Sequence, residues 1–175
     1  MSVPTRYRAI GLAVAAAIFV IDQLVKSYVT NTLNLREVGN IDLLPFFDLT
    51  WTENRGVSLG LLTATSPEMR YLLIALTGAI ALFVLIWMLR EKALADIVGL
   101  GLVLGGALGN IRDRATFGYV IDYADFHIGN FRPFLVFNIA DAAITIGVVI
   151  ILARSLFSRE KPENDDAPGE TATES

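Results

Sequence analysis

The chain has 175 residues, of which 54% are hydrophobic and 18% charged, with a formal net charge of -4. That is too apolar for a soluble domain of this size and too patterned for a disordered one, so a polytopic membrane protein is expected. With no Cys and a single His, a disulfide framework is excluded and a structural zinc site nearly so, and no basic patch points to nucleic acid.

In chain order, Arg6 and Arg8 lead into an apolar run from Ala9 to Val29. It mimics a secretory leader but is longer and lacks a convincing small-residue cleavage site, so it reads as a retained first span. Near its end, Asp22 and Lys26 stand four residues apart on one helical face. They make either a salt bridge near the interface or a support for a neighbouring site. The segment Thr30 to Glu68 follows. Its stretch Phe47-Asp48-Leu49-Thr50-Trp51-Thr52 alternates with period two, the pattern of a short half-buried strand, and Pro45, Phe46, Phe47 and Trp51 suit a lip at the membrane interface. Asn54-Arg55-Gly56 is either ordinary turn chemistry or a place where Asn54 holds a substrate backbone beside a glycine.

Spans of about 20 apolar residues are predicted next at Met69 to Leu89 and Leu94 to Ile111, joined by the tight turn Arg90-Glu91-Lys92. Gly101, Gly105, Gly106 and Gly109 in the third span suit close helix packing in lipid. Asn110, Asp113 and Arg114 at its end need partners, and Arg114 has the geometry to fork onto a carboxylate or a lipid ester oxygen. The connection Arg112 to Leu135 carries Asp122 and the lone His127, the latter read as an ordinary loop residue. Residues 116–133 are expected to be mobile enough to close a site. The fourth span, Val136 to Leu156, opens on Asn138 and Asp141, one helical turn apart. The tail beyond Lys161 is rich in Pro, Glu, Asp and Thr and reads as disordered. The expected organisation is one membrane-embedded domain over 1–161 with an acidic cytoplasmic tail at 162–175. The fold class is all-α, four transmembrane helices with a small extracytoplasmic β-like lip.

Basic residues at both ends and in the tight turn put the termini in the cytoplasm, so the two longer connections, with Asp122 and Asp141, face the other side. Either these carboxylates cap helices and pair with arginines, or they form an acid/base pair. Two close, partly desolvated carboxyls do not both ionise easily, so one keeps a proton. One then takes a proton from an attacking water while the other protonates a carbonyl oxygen. A Lys26 dyad with Ser27 or Ser58 has less support, since Ser27 points away on a helix. A small proton-linked carrier using the same aspartates as a relay, and a purely structural membrane protein, are the rival classes.

The blocks Asp22-Gln23-Leu24-Val25-Lys26, Asn54-Arg55-Gly56, Gly105 to Arg114, Val120-Ile121-Asp122-Tyr123 and Phe137-Asn138-Ile139-Ala140-Asp141 together resemble bacterial lipoprotein signal peptidase, the type II signal peptidase family. The resemblance runs from the first span to the fourth. It implies an aspartic endopeptidase of the bacterial inner membrane with Asp122 and Asp141 catalytic and no metal or cofactor. It also implies Asn54, Gly56, Asn110, Asp113, Arg114 and Asn138 around the site, with Asp22 and Lys26 supporting it. The implied substrate is a diacylglyceryl-modified prolipoprotein, cut before its lipidated cysteine among the membrane lipids, and the implied inhibitors are globomycin-like cyclic peptides. The sequence departs from the family pattern at Val57-Ser58-Leu59 and, slightly, at Phe131-Arg132-Pro133-Phe134.

Overall fold

A computed structural model describes residues 5–56, 67–129 and 131–157. Among these residues four helices are long and apolar enough to cross a membrane: α1 (Thr5–Asn31), α3 (Pro67–Arg90), α4 (Leu94–Phe117) and α5 (Ile139–Phe157). A single turn, α2 (Leu35–Val38), follows α1, and a three-stranded sheet is built from β1 (Asn40–Leu44), β2 (Phe47–Asn54) and β3 (Val120–Phe126). The disordered tail expected at 162–175 and the departure at Val57-Ser58-Leu59 lie outside the described residues.

α4 is the central post. Half of its apolar window is buried, 50% against 22% for α1, 22% for α3 and 17% for α5, so the other three lean on it and turn their remaining faces outward. Its glycines explain the closeness. A Cβ on Gly105 would stand 2.5 Å from the Ala15 carbonyl oxygen of α1, and one on Gly106 would run into that of Ala140 in α5. Lipid gives packed helices no hydrophobic reward for meeting, so contact between bare backbones is what holds them. Beneath these contacts Ala15, Val84, Met88, Ile97, Leu100 and Leu104 make the main apolar core.

The span predicted to end at Ile111 continues to Phe117. Its last turns carry Asp113 and Arg114, which are buried in protein rather than lipid. Hydropathy ends a span where apolarity ends, whereas the helix needs only that each polar group find a partner. Gly118 stops it at φ 89°, with its N–H donating to the Arg114 carbonyl at 3.1 Å. At the other boundary the fourth helix begins at Ile139, three residues after the predicted start.

The connection expected to be a mobile closing segment contains β3, whose residues Val120 to Asp125 are all buried. β3 runs antiparallel to β2 with Thr52 opposite Asp122 and Asn54 opposite Val120, and β2 runs antiparallel to β1. A strand buried on both faces shows no polar alternation, so its sequence does not announce it. The sheet sits on the ends of the helices through Val29, Leu35, Ile121, Tyr123 and Ala124. Phe137 continues the ladder, giving its N–H to the Ala124 carbonyl at 3.0 Å and accepting from Ala124 N–H at 2.8 Å. That bridge delivers the chain from the sheet to the start of α5.

Candidate active site

α5 begins with a reciprocal cap. The Asn138 side-chain oxygen accepts from the Asp141 N–H at 2.9 Å, and Asp141 Oδ2 accepts from the Asn138 N–H at 3.4 Å, so the two residues at the helix start satisfy each other's orphan donors. The Asp141 carboxylate is thereby fixed at the helix N-terminus, the end whose dipole favours negative charge. Asp122 arrives from β3. Asn54, diagonal to it across the β2–β3 pair, donates from Nδ2 to Asp122 Oδ2 at 3.1 Å, and Asn138 Nδ2 donates to Asp122 Oδ1 at 2.6 Å. Asn110 of α4 completes the ring by donating to Asp141 Oδ1 at 2.8 Å. Asn54, Asn110, Arg114, Asp122 and Asp141 line one cavity of about 330 Å³, which Thr77 of α3 also borders.

Behind the cavity lies a buried charge cluster. Lys26 Nζ is 2.9 Å from Asp22 Oδ2, 2.7 Å from Asp113 Oδ2 and 3.1 Å from Asn110 Oδ1, with each charged side chain almost fully excluded from solvent. Asp22 also accepts the Ala140 N–H at 3.1 Å, and Asp113 accepts the Ile121 N–H at 3.3 Å. The cluster therefore pins α1, α4, β3 and α5 together directly under the aspartates. Gly109 makes room for it, because a Cβ there would meet Asp22 Oδ2 at 2.5 Å.

Arg114 does not fork onto a carboxylate. Its Nη2 donates to the Gly56 carbonyl at 2.9 Å, and its buried Nε has no hydrogen-bond partner among the described residues. Arg70, which sequence reasoning passed over, donates to the carbonyls of Arg114 at 2.7 Å and Ala115 at 2.6 Å and so anchors the end of α4. Thr77, unremarkable in an apolar span, was also not singled out. His127 lies in the loop that follows β3. It lies 3.0 Å from Asp48, and the neighbouring Asp125 is held by Arg132 at 2.9 Å, so these two further buried carboxylates each have a basic partner away from the cavity.

Asp122 is the carboxyl most altered by its setting. Burial first, and the charge of Asp141 second, push it from 3.8 up to about 7, against the opposing pull of the Asn54 and Asn138 amides. A carboxyl raised toward neutrality beside one capped by a helix terminus is suited to general acid/base chemistry.

The profile of the signal peptidase (SPase) II family matches residues 14–157. The chain belongs to that family. Lipoprotein signal peptidases of Sphingopyxis alaskensis and Rhizorhabdus wittichii are 51% and 52% identical to it, each over 92% of this chain and over 93% and 95% of their own lengths. The corresponding protein of Methylocella silvestris is 41% identical over 86% of the chain and 88% of its own length. A solved bacterial membrane enzyme superposes with a TM-score of 0.77 at 26% identity, covering 91% of this chain and 95% of the other. A second gives 0.72 at 28% identity, covering 85% and 93%. As a signal peptidase II the protein is a membrane-embedded aspartic peptidase, and the carrier reading has no support.

Proposed function

We propose that Asp122 and Asp141 are the catalytic pair of a peptidase that removes the signal peptide from diacylglyceryl-modified prolipoproteins, cutting before the lipidated cysteine. The observation that carries this reading is the meeting of two cavities at Asp141. The polar one holds both carboxylates, and beside it an apolar cavity of about 380 Å³ is lined by Phe126, Phe134, Phe137 and Ile146 and shares Asp141 and Thr145 with it. A substrate whose scissile bond lies next to acyl chains matches that adjacency.

In the reaction one carboxylate removes a proton from water as the oxygen attacks the carbonyl carbon, and the other carboxyl protonates the carbonyl oxygen. The tetrahedral diol then collapses. The C–N bond breaks, the cysteine nitrogen takes a proton, and the signal peptide leaves with a new carboxyl terminus. Asn54, Gly56 and Arg114 hold the substrate backbone at the cavity rim, Asn110 and Asn138 orient the pair, and Asp22, Lys26 and Asp113 hold the platform. The site opens on the outer face of the bacterial inner membrane with both termini cytoplasmic, and residues 1–161 form the peptidase domain. Globomycin-like cyclic peptides compete for the same cavities.

The test is cleavage by the purified full chain in lipid, using one prolipoprotein with and without its diacylglyceryl group and reading the cut site by mass spectrometry. Cleavage of the lipidated form before its cysteine, with little or none of the unmodified form, is expected. Equal cleavage of both, or a cut elsewhere, would sink the substrate assignment.

A further inference from the structure

Three asparagines face the aspartates, and each is locked in one sense by a group that only donates. The Asn54 oxygen accepts from the Gly56 N–H at 3.1 Å, the Asn110 oxygen from the Lys26 ammonium at 3.1 Å, and the Asn138 oxygen from the Asp141 N–H at 2.9 Å. An ammonium and a backbone N–H have no acceptor to offer, so none of the three amides can turn round. All three therefore present their NH2 groups to the carboxylates: two to Asp122 and one to Asp141. The lobes of the aspartates that face the protein accept, which leaves a carboxyl proton only the lobe that faces the cavity.

The donors differ in what stands behind them. Asp141 receives an amide backed by the Lys26 cation and a backbone N–H at a helix start. Asp122 receives two neutral amides, lies on a strand with no helix terminus, and is 2% exposed. The other charged groups near the pair do not reverse this. Arg114 acts on both aspartates, and Asp22 and Asp113 are engaged by Lys26. Glu53 of β2 is paired with Arg36 and Arg55, and α3 contributes the uncharged Thr77.

We infer that Asp141 is the ionised, water-activating member of the pair and Asp122 the proton-carrying acid, a division imposed by the locked amides and by the relay from Lys26 through Asn110. The inference rests on the catalytic reading of the pair but concerns its protons, which can be followed without turnover. Its test is a 13Cγ aspartate NMR titration of the full chain in lipid nanodiscs from about pH 4 to about pH 9, with signals assigned by single Asp→Asn variants. At about pH 6 Asp122 should be protonated and Asp141 a carboxylate. The reverse assignment, or two carboxylates at that pH, would overturn the division. In Asn110→Ala, which leaves the Lys26 ion pairs intact, the proton should no longer be confined to Asp122 and should be shared between the two aspartates, and in Asn54→Ala it should stay on Asp122. An unchanged distribution of the proton in Asn110→Ala would overturn the relay. Should cleavage survive loss of an aspartate while the titration divides as expected, the catalytic reading fails and the proton assignment stands.

Discussion

At the scale of single residues, the costliest feature is charge removed from water. Lys26 pairs with both Asp22 and Asp113 in a buried cluster, so its loss leaves two buried carboxylates without their cation. Lys26→Met should therefore destabilise the protein by about 3–5 kcal/mol, measured as a fall in the thermal unfolding midpoint in detergent. Asp122 carries a different signature. Its folded value of about 7 exceeds the ordinary 3.8, so the folded chain binds this proton more tightly than the unfolded chain does. The stability this contributes is fully present below about pH 4 and lost as pH rises through about 7. The wild type should lose thermal stability across that window, and Asp122→Asn should lose much of the slope. An identical slope in the two proteins would contradict the burial assigned to Asp122. Asp122 and Asp141 stood out in the sequence because a carboxylate at a membrane edge demands a reason. Arg70 and Thr77 did not, since an arginine at a helix start and a threonine in an apolar span have ordinary uses.

At the scale of elements, α4 does most of the positioning, and its glycine face decides how closely α1 and α5 approach. Gly106→Ala places a methyl group against the Ala140 carbonyl oxygen and should cost about 1–3 kcal/mol by overpacking, while shifting the start of α5 that carries Asp141. Gly78 in α3 has nothing within 4 Å of where its Cβ would lie, so Gly78→Ala should be neutral or stabilising by up to about 1 kcal/mol. The two variants compared by thermal unfolding and by turnover separate packing from helix propensity. The four spans and the glycine face were legible because hydropathy and small-residue spacing are local signals. β3 was not, because its burial comes from β2, α4 and the Val29–Leu35 cluster rather than from any period of its own. The polar end of α4 was missed for the same reason: Asp113 is paired with Lys26 of α1, and Arg114 is held by the Gly56 carbonyl 58 residues away in sequence.

At the scale of the whole molecule, four spans and a small sheet bring residues from β2, α3, α4, β3 and α5 to a single cavity. In the proposed orientation the four spans return both termini to the cytoplasm. Protease digestion of sealed spheroplasts should leave tags at either end equally protected, and digestion of one alone would contradict the proposed orientation. The ordered blocks of sequence pointed to the family, but only the fold shows that the three asparagines share one orientation toward the carboxylates. The central claim is that Asp122 and Asp141 together cut the peptide bond. Cleavage of a lipidated prolipoprotein by the purified chain should fall by about 10²- to 10⁴-fold in both Asp122→Asn and Asp141→Asn, with the proteins still folded. Near-normal cleavage by either folded variant would contradict it.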